Sequence, residues 1–101
     1  MDKIAKYLSE EAVLVQLAEE CSELSQVCLK MVRKIKGENP TPKTMEEIHA
    51  DLKEELADVI LSLCVVEEVL NISHDEILEI EVQKLNRWLQ RLEEGKKNDV
   101  R

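Results

Sequence analysis

Residues 10–36 contain neither proline nor glycine, and their apolar side chains keep a helical period. Val13, Leu17, Cys21, Leu24, Cys28, Met31 and Ile35 recur every three or four positions, and Leu14 and Val32 widen the stripe. A strand would scatter these residues over both of its faces, whereas a helix gathers them on one. A helix of this length is about 40 Å long, and its apolar side needs a partner of similar length.

The rest of the chain supplies such partners. Gly37 breaks the first helix, and "GENPTP" (37–42) reads as a loop. "TMEE", Thr44 to Glu47, has the form of a capping box, so a second helix is expected from there to about Leu70. Ile48, Leu52, Leu56, Val59, Leu63, Val66 and Leu70 lie on one side of it, and "VILSLCVV" is apolar nearly all round, which places it at the centre of an assembly. "NIS" (71–73) interrupts, and Ser73 with Glu76 is a second capping box. A third helix is expected from about His74 to Glu94, with Leu78, Val82, Leu85, Leu89 and Leu92 inward, ended by Gly95 and followed by a fraying tail. Residues 2–8 form a short separate helix or extend the first. With two glycines, two prolines, one Trp, one Tyr and no Phe, few strands are expected. The fold class is therefore all-α: a single domain over residues 1–101, flexible from about 95, built as an antiparallel helical bundle. A chain of 101 residues makes a modest core, and helical chains of this size often complete it by homo-oligomerisation.

The formal net charge of -8 argues against duplex nucleic acid or an anionic membrane surface as a partner. No apolar run is long enough to span a bilayer, and "MDKIAKYLSE" has no signal-like core, so a cytoplasmic protein is expected. Cys21, Cys28 and Cys64, odd in number and set in apolar helical patterns, read as reduced core residues.

Two octets of the chain echo each other. Leu17-Ala-Glu-Glu-Cys-Ser-Glu-Leu24 aligns on Leu52-Lys-Glu-Glu-Leu-Ala-Asp-Val59 at an offset of 35 residues, which suggests two similar helices facing each other. At about 100° per residue, Glu20 falls inside the apolar stripe near one edge, with Glu23 at its rim and Glu19 further out. Glu55 and Asp58 repeat the arrangement on the second helix. A buried, unpaired carboxylate costs several kcal/mol or becomes neutral, and converging carboxylates repel. Lys53 points to the far side of its helix, and Lys30 and Lys34 lie too far along theirs to reach back. A divalent cation is the better counter-charge, and an all-oxygen donor set suits Mg²⁺ or Mn²⁺. A di-iron centre needs two Glu-x-x-His pairs. The chain has one, Glu46 to His49, and His49 lies about 180° around the helix from Asp58, so both histidines are expected at the surface.

Glu19-Glu20-x-x-Glu23 followed by Glu55-x-x-Asp58, with the flanks "LAEECSELSQ" and "LKEELADVILSL" and the later "VQKLNRW", resembles the signature of the all-α nucleoside triphosphate pyrophosphohydrolases, the MazG-like proteins and the dimeric dUTPases. The resemblance spans roughly residues 10–92. The segment between the two motifs is longer than in compact members, with the excess in "KGENPTPKTMEEIHAD". The resemblance implies a helical bundle completed as a homodimer or a dimer of dimers. It implies Mg²⁺ held by Glu20, Glu23, Glu55 and Asp58, with Glu19 beside them for a further ion or for the attacking water. It implies hydrolysis of nucleoside triphosphates, non-standard or surplus ones among them, to monophosphate and pyrophosphate.

On the third helix Lys84, Trp88 and Arg91 follow one side. Lys84 and Arg87 resemble the basic positions of the family's late helix, for contact with phosphates. Trp88 can anchor a core or interface or stack on a base, and Gln16, one turn before Glu20, can meet the base or sugar. Two other functions fit the same residues: a non-catalytic helical interaction module, and a phosphoribosyl-ATP pyrophosphohydrolase.

Overall fold

The computed structural model describes residues 2–37 and 41–99. Backbone contacts divide the chain into two units, Met1–Asn71 and Ile72–Arg101. The described residues are all-helical, with no strand among them.

The first unit holds α1 (Asp2–Ala5), α2 (Glu10–Lys36) and α3 (Met45–Leu70). The start of the chain is thus a short separate helix. α2 begins where the Ser9 hydroxyl accepts the Ala12 amide at 3.1 Å, with Glu10 and Glu11 in its first turn. Both satisfy the unpaired amides and positive dipole of a helix start. It ends at Gly37, whose φ of 67° lets its N–H donate back to the Arg33 carbonyl at 2.9 Å. The capping box before α3 is complete. The Glu47 amide donates to the Thr44 hydroxyl at 3.2 Å, and the Thr44 amide donates to the Glu47 carboxylate at 3.1 Å. Asn71 closes α3 in the left-handed conformation, φ 55°. Of the expected loop 37–42, residues 38–40 lie outside the described residues.

α2 and α3 pack along their lengths. Val13 clusters with Val65 and Val66, whereas Glu20 and Glu23 meet Glu55. The index rises on one helix as it falls on the other, so the two are antiparallel. Leu8, between α1 and α2, packs against the Val13 cluster.

The buried face is narrower than the apolar stripe. Leu14 and Val32 on α2 and Leu56 and Leu63 on α3 are exposed. Cys21 and Cys28 are exposed and Cys64 is half-buried, so the expectation of three core cysteines fails. Two helices in contact cover one line of residues on each; the flanks of a wide stripe need a further layer. In the all-round apolar stretch of α3, Ser62, Val65 and Val66 are buried while Ile60 and Leu61 are exposed.

The second unit contains one helix, α4 (His74–Asp99). The Glu76 amide donates to the Ser73 hydroxyl at 3.4 Å, one half of the expected box. The helix does not stop at Gly95 but runs through it. A glycine in an exposed helix costs about 1 kcal/mol relative to alanine, and Gly95 lacks the positive φ of a terminating glycine. Val100 and Arg101 lie outside the described residues. Leu78, Val82, Leu85, Leu89 and Leu92, expected inward, are exposed, because a lone helix has nothing in its own unit to bury them against. Among the described residues no helix is long and apolar enough to cross a membrane.

Candidate metal centre

The contact line of the hairpin can be read in steps of seven. On α2, Val13 and Val27 are buried, 1% and 9% exposed, and Glu20 stands midway between them. On α3, Ile48 and Ser62 are buried, 1% and 6% exposed, and Glu55 stands midway between those. Seven residues are nearly two full turns, so each carboxylate lies on the line that its helix turns toward the other. The sequence placed Glu20 near an edge of the apolar stripe. In the hairpin its position is central, because the packed face is centred on it.

Glu20, Glu23 and Glu55 each offer one carboxylate oxygen such that the three lie within 4.8 Å of one another. Glu20 and Glu55 are only half-buried as residues, but Oε2 of each is shut off from water and has no hydrogen-bond partner. Burial is the main influence that raises the Glu20 carboxyl above its ordinary value, followed by the charges of Glu23, Asp58 and Glu19. Glu55 is raised in the same way, first by burial, then by Glu23, Asp58 and Glu20. The neighbours acting most strongly on both carboxylates are all acidic. The arrangement concentrates negative charge at a place where water is scarce, a cost that a cation removes.

Asp58, expected as a fourth ligand, lies outside the close group of three, though near enough for its charge to act on both buried glutamates. Glu19 is exposed beside Glu20. Gln16 is exposed one turn earlier on α2. On α4, Lys84, Arg87, Trp88 and Arg91 line one groove of about 360 Å³. A second depression of about 470 Å³ runs beside it between Lys84, Trp88 and the apolar Ile77, Ile80 and Leu85. His49 and His74 are exposed, as expected.

Two features went unread in the sequence. Ser62 is the small residue that completes the contact line on α3, and its place seven residues after Glu55 was the available signal. Lys43 donates to Asp51 at 2.6 Å, tying the segment before α3 to its second turn; no spacing rule flags a pair eight residues apart across a cap.

No family model matches the chain, and no match arises among curated proteins or solved structures.

Proposed function

We propose that the chain is a Mg²⁺-dependent nucleoside triphosphate pyrophosphohydrolase of the MazG-like kind, acting as a homodimer or a dimer of dimers. The observation that carries this reading is the pair of buried, unbonded oxygens on Glu20 and Glu55, in a group of three carboxylates between two antiparallel helices. Such oxygens are costly unless a cation satisfies them, and hard oxygen donors suit Mg²⁺ or Mn²⁺.

In this reading Glu20, Glu23 and Glu55 hold the ion and Asp58 completes their charge. When bound, it neutralises phosphate oxygens and acidifies water. Glu19, exposed at the edge of the cluster, accepts the proton of the attacking water. The water oxygen bonds to the α-phosphorus, the bond to the bridging oxygen breaks, and pyrophosphate leaves with the electron pair. The resemblance would give Lys84, Arg87 and Arg91, on the second unit, to phosphate contact and Trp88 to the base, and Gln16, on the first unit, to the base or sugar. The chemistry needs no Ser, Cys or His nucleophile. The exposed apolar stripes of α2, α3 and α4 support the oligomer.

Those stripes also favour a second reading, a non-catalytic helical interaction module. Phosphorus NMR on a panel of nucleotides with Mg²⁺, phosphoribosyl-ATP included, separates the two. The hydrolase reading expects a monophosphate and pyrophosphate from at least one member. A panel left intact with both Mg²⁺ and Mn²⁺ would refute it in favour of the module.

A further inference from the structure

The carboxylate cluster opens on one side of the hairpin. Measured from the contact line, Glu19, Glu23, Asp51 and Asp58 are turned by about 40° to 100° one way, and the exposed Leu14, Cys21, Leu56 and Leu63 by about 80° to 120° the other. In an antiparallel pair, residues turned in the same sense fall on the same side. One side of the hairpin is therefore acidic and the other apolar, and a polar ligand reaches the cluster over the acidic side.

The two ends of that side differ. Toward the start of α2 and the end of α3 it is apolar and closed. Val65, turned the same way by about 80°, is buried, and Leu8 and Val69 pack against its cluster. Toward the end of α2 and the start of α3 it holds an ammonium group. Asp51 stands one turn before Glu55, about 6 Å along the axis, and Lys43 donates to its carboxylate at 2.6 Å. The charges of Glu47 and Glu54, on the same side of α3, also act on Lys43. Its amine thus lies along the acidic side, beside the cluster, although the residue itself precedes the helix. Lys30 and Lys34 of α2 lie further in the same direction.

We propose that Lys43 is a phosphate-binding residue of this site: it meets the two terminal phosphates of a nucleoside triphosphate, whose nucleoside lies toward the other end, over Gln16. An ammonium group has three hydrogens to donate. One goes to Asp51, and the side chain is still 45% exposed, so two remain for phosphate oxygens. The side chain is also held at both ends. Its amine is fixed by Asp51, and its backbone adjoins the capping box of Thr44 and Glu47. A lysine already ordered loses less entropy when a ligand arrives than a free one does. With the α-phosphate at the carboxylate cluster, one helical turn is the reach of the rest of the phosphate chain. When the bond to the bridging oxygen breaks, the electron pair stays on pyrophosphate, and Lys43 meets that charge.

This inference deepens the proposed function and rests on it, but its test reads binding, whereas that reading stands or falls on the products of the nucleotide panel. Inorganic pyrophosphate is titrated calorimetrically, with Mg²⁺ present, into the parent chain, Lys43→Met and Lys43→Arg. Loss of a charge-assisted hydrogen bond should weaken pyrophosphate binding about tenfold or more in Lys43→Met. Lys43→Arg, which keeps the charge, should recover most of it. Binding of Mg²⁺ alone should be no weaker in either variant, and the melting temperature should stay within a few degrees, because an exposed ion pair contributes little. If Lys43 only tethers the capping segment, its loss lowers the melting temperature and leaves pyrophosphate affinity unchanged. That result, an equal loss in Lys43→Arg, a parallel loss of Mg²⁺ binding, or a parent chain that binds no pyrophosphate overturns the proposal.

Discussion

Glu20 on α2 and Glu55 on α3 occupy equivalent places on the two faces that the helices press together, and each turns one oxygen away from solvent with no hydrogen-bond partner. Hairpins are normally closed at such positions by apolar side chains, as this one is by Val13, Val27 and Ile48. Two acids at the centre of the contact lower stability there unless a counter-charge satisfies them.

The first consequence is thermal. Mg²⁺ or Mn²⁺ at a hundred times its Kd should stabilise the folded chain by about 2.7 kcal/mol, which corresponds to a rise in melting temperature of roughly 10 °C or more. Glu55→Gln removes a charge and a donor, and should abolish most of the rise. Differential scanning calorimetry with and without each metal measures it. An undiminished rise in the mutant would assign the metal elsewhere.

The second consequence is a pH dependence opposite to that of most carboxylates. The folded values of Glu20 and Glu55 are raised above the ordinary 4.5. The folded state therefore binds more protons than the unfolded state above that value. Stability from this source is full below about 4.5, and it is lost as pH rises through the folded values. Urea titrations in chelator over that range should show a falling midpoint. Glu20→Gln should flatten the fall, and at neutral pH without metal should be more stable than the parent protein. A midpoint that rises with pH equally in both would contradict the burial of these groups.

Packing predicts a contrast along α3. Ile48, 1% exposed, should cost about 2–5 kcal/mol when cut to alanine, whereas Leu61→Ala, at a position 50% exposed on the opposite side, should change stability by less than about 0.5 kcal/mol. Chemical denaturation of the two variants decides it. Similar losses would mean that the α3 contact face is misplaced.

Much of this was legible before any coordinates. Gly37, Thr44 with Glu47 and the "NIS" break act within a few residues, so their helix ends follow from local chemistry; the Ser9 cap was not read. The 35-residue echo singled out Glu20 and Glu55, but in an antiparallel pair only one such pair of equivalent positions can meet, and the register that makes it this one was not legible. Which flank of each stripe is covered was not legible. Leu14, Cys21, Leu56 and Leu63 are as apolar as their buried neighbours, and the difference lies in how many helices surround them. Gly95 misled for the opposite reason: its preference is too weak to end a helix by itself.

The central claim is that the carboxylates between α2 and α3 serve attack on a nucleotide's α-phosphorus. Hydrolysis in ¹⁸O-water of the nucleotide that the panel selects tests it most directly. The label should enter the monophosphate, with unlabelled pyrophosphate released in the same step, and activity should fall at least about a hundredfold in Glu55→Gln and Asp58→Asn, since each removes charge that supports the reaction. Label in pyrophosphate, orthophosphate as the first product, or full activity in both variants would contradict the account.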